Sequence, residues 1–276
     1  IAQFYIYNQV KAHQKEAQKL LDLLGEMEVA ISLLRHKRDL EVVCQPVFTE
    51  TGGIEGETLY HPLLSNPIAN DVHFQKNMVI SGDNASGKST YLKTVAINAI
   101  LAQGLGFAYG EKLALPYGHV LTAMDVSDDI EVGDSYFITE SKAILRMIQH
   151  LKKPGFHYFF IDELFKGTNT IERIGSGLGI VRWLATQNCL YMISSHDIEL
   201  VPASGEVNDN YHFDSRYVEG KIVFDYQIKP GSAVTKNAVN TLESLHYPEE
   251  ITQTAKDLID QYEEKGRWSL KEIEKE

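Results

Sequence analysis

Apolar residues recur along this chain with two periods, and the alternation between them predicts an α/β fold. Residues 8–40 read as one long helix, with Leu20, Leu24, Met27, Ile31 and Leu34 in an apolar stripe and Lys and Glu on the other faces. Residues 41–48 read as a strand interrupted by Pro46, which suits a sheet edge. A turn at Thr51-Gly52-Gly53 and a short strand over residues 57–60 follow, and residues 66–71 read as a loop. Met78-Val79-Ile80 is a short buried strand; Leu92, Val95, Ala96, Ala99 and Ile100 then repeat at helical spacing until Gly104 and Gly106 end the run. Residues 112–122 mix β-branched residues with Pro and Gly and read as strands and turns, while residues 137–151 are helical until Pro154-Gly155. Tyr158-Phe159-Phe160-Ile161 and residues 190–193 are continuous apolar runs, the mark of strands buried on both faces. Between them Asn169, with Glu172 three residues on, caps a helix predicted to reach about residue 186. Residues 211–214 and 217–226 read as half-buried strands, the second broken by a turn at Glu219-Gly220. Helices over 235–245 and 249–265 close the pattern, separated by Tyr247-Pro248.

The interval between the strand at 78–80 and the helix it feeds carries the chemistry. Gly82-Asp83-Asn84-Ala85-Ser86-Gly87-Lys88-Ser89-Thr90 fits G-x-x-x-x-G-K-[ST], a loop whose backbone N–H groups cradle nucleotide phosphates. Gly82 and Gly87 allow turns that a side chain would block. Lys88 is expected to reach the β- and γ-phosphates of ATP, and the Ser89 hydroxyl to ligate Mg²⁺. Strand, loop and helix in this order aim a helix N-terminus at an anion.

Composition narrows the setting. The chain has 276 residues with 43% hydrophobic and 23% charged residues, ordinary for a soluble globular protein with one large domain and appendages. A net charge of −12 argues against a dominant nucleic-acid-binding face within this chain. Two distant cysteines, ten histidines without ligand spacing and the absence of a long apolar run predict a reduced cytoplasmic protein with no zinc site and no membrane contact. The sequence opens at Ile1 inside a helical pattern, which reads as a fragment of a longer chain.

Further acids stand where an α/β sheet forms its ligand crevice. Asp162-Glu163 ends the buried run at Ile161. Read with the glycine loop, Asp162 is expected to hold Mg²⁺ and Glu163 to polarise the water that attacks the γ-phosphate; alone they would read as two solvated acids. His196 closes the next buried strand and can donate to a γ-phosphate oxygen, or be a satisfied surface histidine. By themselves Ser135 reads as a helix N-cap and Asp128-Asp129 as a solvated acidic pair.

Together these residues resemble the ATPase domain of the MutS family of DNA mismatch-repair proteins, over about residues 20–265. The family's G-P-N-M-G-G-K-S-T is similar to residues 82–90, with Asn84 kept and Asp83 and Ala85-Ser86 substituted. Its D-E-x-x-x-G-T-S-T resembles residues 162–170, its T-H-x-x-E-L residues 195–200, and its D-D-L-x-x-G-x-S-T-F-x-x-E residues 128–140 with Tyr136 for threonine. His61-Pro62 stands where the family has H-P, and Pro248 and Ala255 fall in register with its C-terminal helical pair.

The resemblance implies a P-loop NTPase of the ABC-like type, a mixed sheet flanked by helices. It divides the chain into the end of a helical core segment (1–40), an ATPase domain (41–230) and a helical pair for dimerisation (231–276). It implies a homodimer in which Ser135 of one chain reaches the nucleotide of the other, and a catalytic set of Glu163, His196, Asn84 and that Ser135. Adenine would lie against Ile68, of Ile68-Ala69-Asn70, and against a ring from the late hairpin, here Tyr226; Pro67 replaces the family's aromatic there. Double-stranded DNA and downstream repair proteins would be met through regions outside this chain, because 276 residues leave no room for the family's mismatch-reading and clamp domains. An ABC-class ATPase of another repair complex or a transporter is the alternative, against which stands the lack of L-S-G-G-Q between the loop and Asp162. A small-molecule kinase would need an arginine-rich lid, and the sequence has none.

Overall fold

The computed structural model describes residues 6–7, 11–40, 42–124, 136–197, 199–218, 221–232 and 238–270. The chain divides into two compact units, residues 1–43 and 44–276. The first is helix α1 (Gln14–Arg38), with Glu16 in its first turn and Arg35, His36, Lys37 and Arg38 in its last, charges that complement the helix dipole. Within it Leu20, Leu24, Met27, Ile31 and Leu34 are exposed, and no residue of the helix is buried.

The second unit is α/β. Its large sheet has the order β10-β9-β4-β8-β7-β6, built from β4 (Met78–Ser81), β6 (Gly118–Ala123), β7 (Phe156–Asp162), β8 (Cys189–Ser195), β9 (Asp209–Val218) and β10 (Lys221–Pro230). All neighbours are parallel except the edge pair β9–β10. Alternate side chains of the central strands enter different cores. Met78, Ile80, Tyr158, Phe160 and Met192 pack on one face with Leu92, Val95 and Ala99 of helix α2 (Lys88–Leu105). Val79, Phe159, Ile161, Tyr191 and Ile193 pack on the other with residues of α3 (Tyr136–His150), α4 (Thr170–Leu184) and α5 (Leu200–Ser204). A sheet covered on both faces is what continuous apolar strands require. A smaller mixed sheet, β1-β5-β2-β3, is formed by β1 (Val47–Thr49), β2 (Ile54–Leu59), β3 (Asn70–Phe74) and β5 (Lys112–Pro116). Helices α6 (Ala238–Ser244) and α7 (Glu249–Lys265) follow the hairpin.

Some expectations change. The strand expected over 41–48 reduces to a bridge between Cys44 and Ala108, and β1 starts only after Pro46, which has no N–H to donate. The loop expected over 66–71 already contains the start of β3 at Asn70, whose side chain is tied to the hairpin. The hairpin is two ten-residue strands flanking Glu219-Gly220, which lie outside the described residues. The first C-terminal helix is described over Ala238–Ser244, and the expected start at residue 235 lies outside the described residues. Among the described residues no helix is long and apolar enough to cross a membrane.

Candidate functional site

The glycine loop leaves the C-terminal end of β4 and enters α2 through residues in the left-handed region: Gly82 (φ 142°), Ala85 (φ 63°) and Gly87 (φ 111°). A Cβ on Gly82 would lie 2.8 Å from the Phe213 carbonyl oxygen, so the backbone path leaves no room for a side chain there. The Lys88 ammonium is buried and donates to the carbonyls of Gly82 (2.6 Å) and Asp83 (2.8 Å). Burial pulls its pKa down, and the nearby carboxylates of Glu163, Asp162 and Asp83 oppose this. Asp83 accepts a short hydrogen bond from the Ser215 hydroxyl of β9, which ties the loop to the next strand. Asn84 and Ala85 are exposed. With Asp83 they border a cavity of 760 Å³ that Phe224 and Leu242 also line.

The ends of β7 and β8 bring the acids to this loop. Asp162 Oδ1 accepts from Ser89 Oγ at 2.8 Å and from Ser194 Oγ at 2.5 Å. Glu163 turns away from the strand at φ 62°, and its N–H donates to the carbonyl and hydroxyl of Ser194, each at 3.2 Å. Its carboxylate lies 3.1 Å from His196 Nδ1 and 3.4 Å from Lys166 Nζ. Burial would raise the Glu163 pKa, but the His196 hydrogen bond and the Lys166 charge outweigh it and hold the group at about 2. The same hydrogen bond raises the pKa of His196. Beneath His196, Asp197 is buried and takes a two-pronged bond from Arg173 of α4, Nε to Oδ2 at 2.8 Å and Nη2 to Oδ1 at 2.6 Å.

Beside Gly87 and Thr90 lies a cavity of 310 Å³ lined by Leu59, Ile68, Tyr91 and Tyr226, with Asn66 and Ile68 flanking the position of Pro67. The β9–β10 register shifts between Phe224 and Ile228, and Tyr226 sits in that bulge at φ 54°. Asn70 holds the bulge: its amide donates to the Tyr226 carbonyl and its oxygen accepts from the Ile228 N–H, both at 2.9 Å.

Residues 82–90, Asp162, Glu163 and His196 therefore converge, with Ile68 and Tyr226 on the adjoining cavity. Ser135 and Asp128-Asp129 lie outside the described residues. Sequence reasoning gives no role to Arg173, Ser194, Asn70 or Glu140, although Glu140 ends the family-like stretch 128–140 and Asn70 ends Ile68-Ala69-Asn70. Ser194 closes an apolar run, and the partners of the other three lie 24 or more residues away.

Far from this crevice, at the opposite end of the sheet, His119 and His157 are register partners on β6 and β7, and His150 ends α3 above them. The three ring centroids are 4.8 to 5.4 Å apart. Both ring nitrogens of buried His157 and Nδ1 of His150 have no hydrogen-bond partner. Burial first, and neighbouring cationic groups after it, lower the pKa of both. Among the described residues no group of three or more His, Cys, Asp or Glu is placed to hold a metal ion.

Residues 78–263 match the protein family described as MutS domain V. The chain is 26% identical to the DNA mismatch repair protein MutS of Listeria welshimeri over 281 residues, covering 96% of this chain and 32% of that one. It is 29% identical to human MutS protein homolog 4 (88% and 27% covered) and 26% identical to the DNA mismatch repair protein MutS of Thermus thermophilus (94% and 32%). It thus spans between about a quarter and a third of the length of these relatives.

Proposed function

The chain belongs to the MutS family, and from that premise we propose that it binds and hydrolyses ATP as a P-loop unit of the ABC-like type. The observation that carries the proposal is the meeting of Lys88, the Ser89–Asp162 pair, Glu163 and His196 at the ends of three adjacent parallel strands. In this reading the N–H groups of residues 82–90 and the Lys88 ammonium bind the β- and γ-phosphates. The cavity beside Gly87 takes the adenine, between Ile68 and Tyr226. Ser89 and Asp162 present hard oxygen donors, a set that suits Mg²⁺. When bound, that ion neutralises phosphate charge. Glu163, held ionised by His196 and Lys166, polarises the attacking water and takes its proton as the bond from γ-phosphorus to the bridging oxygen breaks. Asn84, exposed at the loop tip, is on hand for the same phosphate.

Equilibrium ATP binding and single-turnover hydrolysis of Lys88→Ala and Glu163→Gln test this. Lys88→Ala is expected to lose affinity, and Glu163→Gln to keep affinity and lose turnover. Undiminished binding in the first, or undiminished turnover in the second, rejects the assignment.

The active unit is proposed to be a homodimer in which Ser135 completes the partner's site, since a γ-phosphoryl transition state needs donors on more than one side. Activity per chain then rises with concentration, and mixing Ser135→Ala with Glu163→Gln chains restores part of what each lacks. Constant specific activity in a demonstrated monomer, without rescue, removes the shared site. In the whole protein the ATP state is proposed to govern DNA mismatch binding by regions beyond this chain, acting with downstream repair proteins. Accordingly the acidic chain alone is expected to bind matched and mismatched duplex alike.

A further inference from the structure

The segment that carries Glu163 into α4 has an anchor that the reaction scheme does not use. Glu140, one turn into α3, is only 5% exposed. Its carboxylate accepts from the backbone N–H of Lys166 (3.2 Å) and of Gly167 (3.4 Å). Around it the first turn of α3 is pressed against the same segment. The Phe137 and Phe165 rings lie 5.4 Å apart, and a Cβ added to Gly167 would come within 2.9 Å of the Phe137 backbone nitrogen. The segment itself is bent through positive φ at Glu163 (62°) and Phe165 (60°), conformations that persist only where neighbours over-determine them. One end is fixed by Ser194, which receives the Glu163 N–H. The other is fixed by Glu140.

We propose that Glu140 is a positioning residue that couples the start of α3 to Glu163, through the Lys166 ammonium that faces the Glu163 carboxylate. The inference rests on the reading of Glu163 as the base for ATP hydrolysis. Lys166 is a suitable relay because its backbone N–H is held by Glu140 while its side chain lies 3.4 Å from Glu163. A shift in the first turn of α3 therefore moves a cation relative to the base, altering both the aim of the carboxylate and the field that keeps it ionised. Burial, and after it the Glu163 charge, raise the Glu140 pKa against the opposing pull of the two backbone donors and Lys166. From Glu140 the path to Glu163 is one hydrogen bond and one ion pair, both through Lys166.

Glu140→Gln keeps the side-chain volume but replaces one acceptor with an NH₂ donor facing a backbone donor. ATP affinity is expected to stay within about twofold, while single-turnover hydrolysis falls roughly 10- to 100-fold, the scale set by a misaimed catalytic group. In a Glu163→Gln background the same change should cost nothing further, because the group it positions is already gone. Gly167→Ala breaks the contact from the other side without touching the carboxylate; it should show the same split, and it carries the test if Glu140→Gln does not fold. Turnover unchanged in the variants overturns the inference, and so does affinity lost in parallel with turnover or a full further loss in the double variant. A wild-type chain that binds ATP and never hydrolyses it is a different result, which removes the reading of Glu163 itself.

Discussion

The two ends of the six-stranded sheet shift the pKa of the same residue type in opposite directions. At the loop end His196 lies against the Glu163 carboxylate, which raises its pKa. At the far end His150 and His157 lie against other imidazoles and apolar residues, and burial lowers theirs. The backbone follows the same division. Of the six non-glycine residues with positive φ among the described residues, Ala85, Glu163, Phe165 and Tyr226 are at the loop end. One end thus sets its charges beside partners on a constrained frame, and at the other burial works against charge on the imidazoles. A histidine's role is set by its nearest acid or its absence, more than by its place at a strand terminus.

The comparison can be broken most severely at the loop end. Glu163→Gln is expected to lower single-turnover hydrolysis by about 10²–10⁴-fold, the contribution of a positioned base. His157→Phe, at the far end, should leave that rate unchanged; a matching loss in both would erase the distinction. Next in size, Arg173→Met leaves the buried Asp197 charge without its partner and should cost about 3–5 kcal/mol in denaturant unfolding.

Acid separates the ends by sign. A histidine whose folded pKa lies below its unfolded value stabilises the fold above pH 6.5, and that stability is lost as pH falls below it. His196, raised, contributes in the opposite sense, fully below pH 6.5 and lost as pH rises through its folded pKa. Glu163 contributes above pH 4.5 and loses its contribution only as pH falls towards about 2. Between pH 8 and 5.5 the melting temperature of His157→Phe should therefore rise relative to that of wild type as the pH falls. At pH 8 that variant should be no less stable, since an unpartnered buried group costs about 1–3 kcal/mol. The smallest effect is expected from Ala85→Gly, where relief of the left-handed backbone and the entropy of glycine nearly cancel, to within about 1 kcal/mol by thermal melts.

Much of the frame was legible in the sequence because its signals are local. The apolar run at β4, the glycines around α2, and the Asn169 cap, whose oxygen accepts the Glu172 N–H at 3.1 Å, each follow from residues within a few positions. The convergence of Lys88, Asp162, Glu163 and His196 was legible for a different reason: parallel strands deliver their C-terminal ends to one edge. What stayed hidden depends on partners distant in sequence. Nothing near Glu140 shows that it will meet the N–H groups of Lys166 and Gly167. Ten scattered histidines give no hint that register will stack His119 on His157 beneath His150. Residues 41–48 have a β-rich composition, but those described form no continuous strand, because Pro46 withholds a donor.

The place of β4 in the sheet also governs the order in which the molecule can assemble. Its two flanking strands are made late: Asn77 reaches Tyr191 across 114 residues, and Ser81 reaches Tyr211 across 130. During synthesis the glycine loop therefore emerges long before either neighbour that holds its strand, and β4 must wait with unpaired edges. Closing loops of that length is slow compared with forming helices, so α2 can take shape while the sheet beneath it is still incomplete. A nascent chain stopped before residue 189 contains every residue of the glycine motif and neither strand that flanks β4. The strand that carries the loop gains its second neighbour only once β9 (Asp209–Val218) has been made.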